Sequence, residues 1–217
     1  KIDNKFKNPC TFLLAGASQS GKTTFVFNIL RNIDTMFENP ECKNNIIYFY
    51  QQYQTVFSDF ENENAVKIEF INILHPCDFI KEKTKDFLKS GSIIIIDDFG
   101  QYINSDIAEI FSVYAHHTNS VVFLLSQNLF LKKNGFRDIS INSTYIVLFK
   151  NPRDPSQIER FARQFEPKKS KHLFQLFQDN TKESYSYLLF DFHQKTKHNR
   201  RIKCNIFPHE NPLKIFF

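Results

Sequence analysis

A chain of 217 residues can bury a core without metal or disulfide staples, and 41% hydrophobic with 24% charged residues is a globular balance, which excludes fibrous, disordered and miniprotein classes. No apolar run approaches the roughly 18–20 residues of a membrane helix, and Phe12–Ala15 is too short for a signal-peptide core, so the expectation is a soluble protein without a membrane partner. The net charge of +5 is uneven: residues 1–167 hold 18 Lys and Arg against 19 Asp and Glu, residues 168–217 hold 10 against 4, and such a basic end suits either a polyanion or a solvated surface. Cys10, Cys42, Cys77 and Cys204 form no CxxC pair, and the seven histidines are dispersed, so reduced structural thiols and no His/Cys metal site are expected.

The first predicted strand, Thr11–Leu14, runs into Gly16-Ala17-Ser18-Gln19-Ser20-Gly21-Lys22-Thr23, and a helical pattern follows over Lys22–Ile33. This satisfies GxxxxGK[ST] at every specified position, in the strand-to-helix context the motif needs. Gly16 and Gly21 permit the turns by which successive N–H groups face phosphate oxygens, and the helix adds the positive end of its dipole. Lys22 is expected to neutralise the β- and γ-phosphates and the Thr23 hydroxyl to ligate Mg2+, with Thr24 completing the ATP-binding segment.

Further strands are predicted at Ile46–Tyr50, Ile68–Ile73, Ile93–Asp97, Val121–Ser126 and Tyr145–Phe149, alternating with helices at Asp78–Lys89 and Ser105–His117. Short β-branched runs alternating with helical crossovers describe an α/β protein with a buried, mainly parallel sheet flanked by helices. The run Ile93-Ile94-Ile95-Ile96-Asp97-Asp98 is a strand covered on both faces that ends in two acids. Asp97 is the expected second magnesium anchor, and Asp98, pointing elsewhere, the candidate base that polarises the attacking water. At the tip of Val121–Ser126, the Gln127 amide is placed to orient water or sense the γ-phosphate, with Asn128 as the alternative and a plain polar turn as the bland one.

Asn151-Pro152-Arg153-Asp154-Pro155 is a turn; helices follow to about Phe165 and at about Lys169–Phe177, and then Tyr185–His193 and Arg201–Phe207 read as a terminal β-hairpin. One domain over 1–217 is expected, with a core over about 9–167 and a helix and basic hairpin over about 168–217. Arginines that could complete a site from a neighbouring subunit are Arg137 and Arg153, in loops flanking the last core strand; Arg160 and Arg163, at i and i+3 on one helix, suit a solvated face better. Two basic groups are candidates for DNA phosphates: Lys195, Lys197, His198, Arg200, Arg201 and Lys203 around the hairpin, and Lys132 with Lys133 after Gln127.

The stretch from Ser126-Gln127-Asn128-Leu129-Phe130 through Arg137-Asp138-Ile139-Ser140-Ile141-Asn142 to Tyr145–Asp154, read with the phosphate loop and the Asp-Asp strand, resembles the genome-packaging ATPases of the FtsK/HerA superfamily, in particular those of virophages and Maverick/Polinton elements. The resemblance runs from about Thr11 to Pro167. It implies an additional-strand (ASCE) P-loop NTPase fold, with the glutamine-bearing strand inserted between the loop strand and the Asp-Asp strand. It further implies a pentameric or hexameric homo-oligomeric ring that uses ATP and Mg2+ to move double-stranded DNA into a preformed capsid, at a capsid vertex, within the virus factory of a host cell (cytoplasm or nucleus) or on the virion. Asp98 departs from the glutamate of cellular relatives, as viral members often do. The alternatives are an ATP-switched DNA-binding assembly factor with little turnover, and a P-loop kinase, against which the water-suited Gln127 argues.

Overall fold

The computed structural model describes residues 5–63, 66–73, 82, 91–210 and 214–216. In chain order these form β1 (Cys10–Ala15), α1 (Lys22–Arg31), a one-turn helix Ile33–Met36, β2 (Ile46–Tyr50), α2 (Thr55–Asn62), β3 (Glu69–Asn72) and β4 (Ile93–Asp97). Next comes α3, which runs as Ser105–Glu109, a π-helical turn Ile110–Tyr114 and Ala115–His117. After it follow β5 (Val121–Ser126), α4 (Phe136–Asn142), β6 (Tyr145–Phe149), α5 (Ser156–Phe165), α6 (Ser170–Asn180), β7 (Tyr187–Asp191), β8 (Ile202–Cys204) and β9 (Lys214–Phe216). All the strands expected before residue 150 form, four of them at the expected residues. The helix expected at Asp78–Lys89 lies outside the described residues, Glu82 apart. Neither α2 nor α4 was expected, because each is eight residues or fewer and buries only two side chains, Phe57 with Phe60 and Phe136 with Ile139.

The strands make one nine-stranded sheet in the order β3-β2-β4-β5-β1-β6-β7-β8-β9. From β3 to β6 the pairing is parallel, and β7, β8 and β9 add antiparallel. The glutamine-bearing strand β5 therefore lies between β1 and β4, the defining insertion of the additional-strand P-loop fold. Register carries this into the site: Ala15 pairs with Ser126 and Asp97 with Leu125, so the three strands end at nearly one level and their loops share one edge. Ligands of open α/β sheets bind at that carboxyl edge.

Successive residues of the central strands enter opposite cores. Leu13, Ile94, Ile96, Leu124 and Leu148 face α3, α4, α5 and α6, while Phe12, Leu14, Ile95, Phe123 and Val147 face α1 and α2. This two-sided cover explains why the strands are continuous apolar runs. On the second face the core is aromatic: the Phe12 ring lies 4.4 Å from Phe123 and 4.7 Å from Tyr145, both stacked.

The expected terminal hairpin exists as β7 and β8, and β9 extends it. One basic residue assigned to its surface is not there. Lys203 is 9% exposed and its Nζ lies 2.8 Å from Oδ2 of buried Asp191, which also accepts from Thr196; Lys203 is an internal ion pair and is no candidate for DNA contact. Arg201, half-buried, donates to the Asp191 carbonyl at 3.0 Å, and His198 faces Glu166 at 3.8 Å. Lys195, Lys197 and Arg200 remain exposed. Lys203→Ala strands the Asp191 carboxylate in the sheet, so we expect a loss of about 3–5 kcal/mol in urea unfolding, largely recovered when Asp191→Leu is combined with Lys203→Met. A loss no larger than that of an exposed Lys195→Ala would contradict the assignment.

Candidate active site

The loop between β1 and α1 carries the phosphate-binding sequence, and its backbone needs its glycines. Gly21 has φ 102°, and a Cβ on Gly16 would lie 2.5 Å from the Phe149 Cβ. Gly16 N–H donates to the Ser126 carbonyl at 3.2 Å, tying the loop to the tip of β5. Gly21 is the N-cap of the ten-residue α1, which has no side-chain cap and no acidic residue in its first turn. Its amino-terminal N–H groups thus meet no carboxylate of the helix's own first turn, which suits an anion site at a helix terminus. Lys22 Nζ donates to the carbonyls of Gly16 and Ala17, 2.8 Å each. Burial pulls its pKa below the ordinary lysine value, opposed by the fields of Asp97 and Asp98. The Ser20 hydroxyl oxygen, buried inside the loop, has no hydrogen-bond partner among the described residues.

Asp97 closes β4 and is 5% exposed. Its Oδ2 accepts from the Tyr48 hydroxyl at 2.6 Å, from Gln54 Nε2 at 3.3 Å and from Thr23 Oγ1 at 3.4 Å. Burial pushes its carboxyl above the usual carboxylate range, while the Tyr48 hydrogen bond and the Lys22 charge act the other way. Thr23 and Asp97 offer a hydroxyl and a carboxylate side by side, hard oxygen donors whose chemistry fits Mg2+. Asp98, the next residue, turns away through a left-handed backbone, φ 62°, into solvent. There the Gln127 amide nitrogen reaches both its carboxylate oxygens, at 3.0 and 3.2 Å. Two adjacent acids thus have separate surroundings: one buried beside the phosphate loop, one exposed and held by the tip of β5.

These groups line a cleft of about 660 Å3 whose walls include Ser18, Gln19, Gly21, Lys22, Thr23 and Thr24 of the loop with Asp97, Asp98 and Gln127. Its remaining wall was not foreseen: Tyr50–Val56 after β2, and Tyr185 before β7. Tyr48 and Gln54 on Asp97 were also missed; the available signal was the tyrosine- and glutamine-rich run Tyr48–Gln54 at the carboxyl end of a parallel strand. Asn128, the alternative to Gln127, is taken up elsewhere, its Oδ1 accepting from Gln157 at 3.0 Å. Neither candidate arginine lines the cleft of its own chain. Arg137 is exposed in the first turn of α4 and Arg153 is exposed in the turn after β6. Arg160 covers the Phe130 ring at 4.3 Å and Arg163 pairs with Glu159 at 3.3 Å, the surface roles expected of them.

A raised native carboxyl pKa means that protonation favours the folded chain. The contribution from Asp97 is complete below the unfolded value of roughly 4 and is lost as pH rises through the folded value, so at neutral pH its charge destabilises the nucleotide-free protein. Asp97→Asn keeps an acceptor for Tyr48 and removes the charge. We expect calorimetry at pH 8 to show an unliganded Tm higher by about 2–4 °C, the size of a ~1 kcal/mol gain. An unliganded Tm that falls would contradict this account.

No protein-family model matches the chain, and no curated protein does. Solved structures share its fold. The DNA-packaging ATPase B204 from Sulfolobus Turreted Icosahedral Virus is 14% identical, over 99% of this chain and 98% of that one, with a TM-score of 0.61. The genome packaging NTPase B204 from Sulfolobus turreted icosahedral virus 2, in complex with AMPPCP, is 14% identical over 96% and 97%, TM-score 0.54. A KaiC-like protein from Pyrococcus horikoshii is 11% identical over 97% and 90%, TM-score 0.50. This chain therefore has, over nearly its whole length, the mixed α/β P-loop NTPase fold that viral genome-packaging ATPases adopt.

Proposed function

We propose that this chain is an ATP-hydrolysing motor of the FtsK/HerA type that moves double-stranded viral DNA into a capsid, working as a homo-oligomeric ring in the infected cell. The observation that carries the proposal is the meeting of Lys22, Thr23, Asp97, Asp98 and Gln127 in one cleft, from three strands whose order inserts β5 between β1 and β4. The whole-length likeness to packaging ATPases supports the genome-packaging reading.

ATP is bound with its triphosphate along the loop, the α1 N–H groups and Lys22 taking the β- and γ-phosphate charge. Mg2+, held by Thr23 and Asp97, would neutralise charge on the β- and γ-oxygens. Water attacks the γ-phosphorus in line. Asp98 accepts its proton or orients it, and the Gln127 amide fixes the carboxylate while its own oxygen is left to accept from the same water. Arg137 and Arg153, both exposed, are assigned to the site of a neighbouring subunit, where either would stabilise charge in the transition state. DNA phosphates are assigned to Lys195, Lys197 and Arg200 or to Lys132 and Lys133, all exposed.

Steady-state ATP hydrolysis with and without double-stranded DNA tests this. We expect DNA to raise turnover, Lys22→Ala to abolish nucleotide binding, and Asp98→Asn to keep binding while lowering kcat by about 100-fold or more. Wild-type turnover indifferent to DNA would remove the motor reading and leave an ATPase; binding without turnover would favour an ATP-switched assembly factor. The salt dependence of DNA affinity separates the basic groups: substituting alanine in the group that touches phosphates lowers the log–log slope by about one for each lysine or arginine removed, and the same change in the other group leaves it unaltered.

A further inference from the structure

We infer that Tyr185 is the platform on which the nucleobase stacks. The inference rests on the ATP-site reading above and assigns the part of the cleft that the phosphate machinery leaves unexplained. Four large apolar or aromatic side chains are exposed among the described residues, Tyr53, Val113, Ile141 and Tyr185, and the two tyrosines both line the cleft. A 66% exposed tyrosine beside a phosphate loop offers an aromatic surface to a planar ligand.

The fold decides between the two rings. Asp97, Asp98 and Gln127 fix the γ-phosphate end of the cleft on the β4 side of β1. Tyr53 follows β2, which lies beyond β4 on that same side, so it flanks the γ-phosphate end. Tyr185 precedes β7, two strands from β1 in the opposite direction, and the pairing of Tyr187 with Phe149 keeps this end of β7 at the carboxyl edge of the parallel strands. A triphosphate pinned at its γ end by the two acids directs its nucleoside toward that side. There Tyr185 packs against the loop itself: a Cβ placed on Gly21 would lie 3.1 Å from both Cβ and Cδ1 of Tyr185.

The backbone agrees. Five non-glycine residues have left-handed φ among those described; Asn119, Asn205 and Asp98 are of types that tolerate it, whereas Gln19 and Tyr185 are not. Both of the latter line the cleft. Tyr185, at φ 67°, keeps an unfavourable conformation although the residue is 66% exposed. A stacking platform accounts for both the conformation and the exposure, and its attraction is common to all bases.

Because the chain contains no tryptophan, Tyr185→Trp supplies a single tryptophan, whose emission can be excited apart from that of the tyrosines, and preserves stacking. Its emission is expected to change with Mg·ATP and not with Mg·tripolyphosphate. By calorimetric titration, Tyr185→Ala should weaken ATP binding about 10-fold, leave tripolyphosphate binding unchanged, and Tyr185→Phe should restore ATP affinity. ATP affinity unchanged in Tyr185→Ala, or equal weakening of ATP and tripolyphosphate, overturns the platform. Wild-type protein that binds neither ligand overturns the ATP site and the platform with it; wild-type binding of both, with Tyr185→Ala unaltered, leaves the ATP site standing and removes the platform alone.

Discussion

The fold is organised around a negative charge taken out of water. A carboxylate at the buried tip of an all-isoleucine strand costs several kcal/mol unless polar groups surround it, and the elements nearest Asp97 are placed to do that. Tyr48 on β2 sends its hydroxyl to Asp97 because its ring is fixed among Phe27 of α1, Phe57 of α2 and Phe70 of β3. Docking Phe57 beneath Tyr48 and Tyr50 also sets the start of α2, so Gln54, its N-cap residue, meets the same carboxylate oxygen. An aromatic core therefore does positional work: it aims a phenol and an amide at one oxygen of the buried Asp97 carboxylate. Lys22 answers the same charge from the phosphate loop, and its own burial, which disfavours the ammonium and prevails, is opposed by that acid and by Asp98.

What could be read in the sequence follows from what each feature depends on. The parallel strands were legible because strands covered on both faces are uninterrupted apolar runs, and Ile93–Asp97 is such a run with the buried acid of the cleft attached. The phosphate loop was legible because glycine spacing, lysine and hydroxyl all fall within eight residues. Tyr48 and Gln54 were not, since their roles exist only once β2 lies beside β4, some 40–50 residues away in the chain. Lys203 misled for the related reason that a charge count cannot see Asp191 across the hairpin, where Leu189 pairs with Lys203 itself and Asp191 sits two residues on. The Tyr185 position was marked by no motif at all; it depends on β7 returning antiparallel beside β6.

The separation of the two adjacent acids illustrates how a single backbone angle divides labour. Asp97 continues the strand and points inward, while the left-handed φ of Asp98 breaks the alternation and directs the second carboxylate to solvent, beside the residue that follows β5. Its backbone N–H is held by the Leu125 carbonyl at 3.2 Å, so the turn is anchored to the inserted strand as well. Without β5 between β1 and β4, Asp98 would have neither its backbone anchor nor Gln127. The insertion is thus a local chemical requirement of this site as much as a feature of topology.

Charge balance in the cleft bears on how many chains complete it. Lys22 is the one cationic side chain among the described residues that line it, and Asp97 and Asp98 oppose it. A nucleoside triphosphate brings more negative charge than one lysine and one divalent cation offset, and two carboxylates add to the excess. On the side of Asp98 and Gln127 the site opens into an adjoining cleft of about 410 Å3, walled by Gln51, Gly100, Gln101, Asn128 and Lys133 among others, broad enough to admit a long side chain. The loop forming this wall is not slack: the Leu129 N–H donates to Gln157 Oε1 at 2.6 Å, and Gln157 Nε2 donates to Asn128 and Asp154, which joins the tip of β5 to the turn that carries Arg153. On the ATPase reading proposed above, an isolated chain would hold the groups that position water and metal, with Lys22 and Lys133 the cationic side chains among the described residues that line the two clefts. On the reading proposed above, a second chain presenting an arginine to this opening would add positive charge where the γ-phosphate is expected.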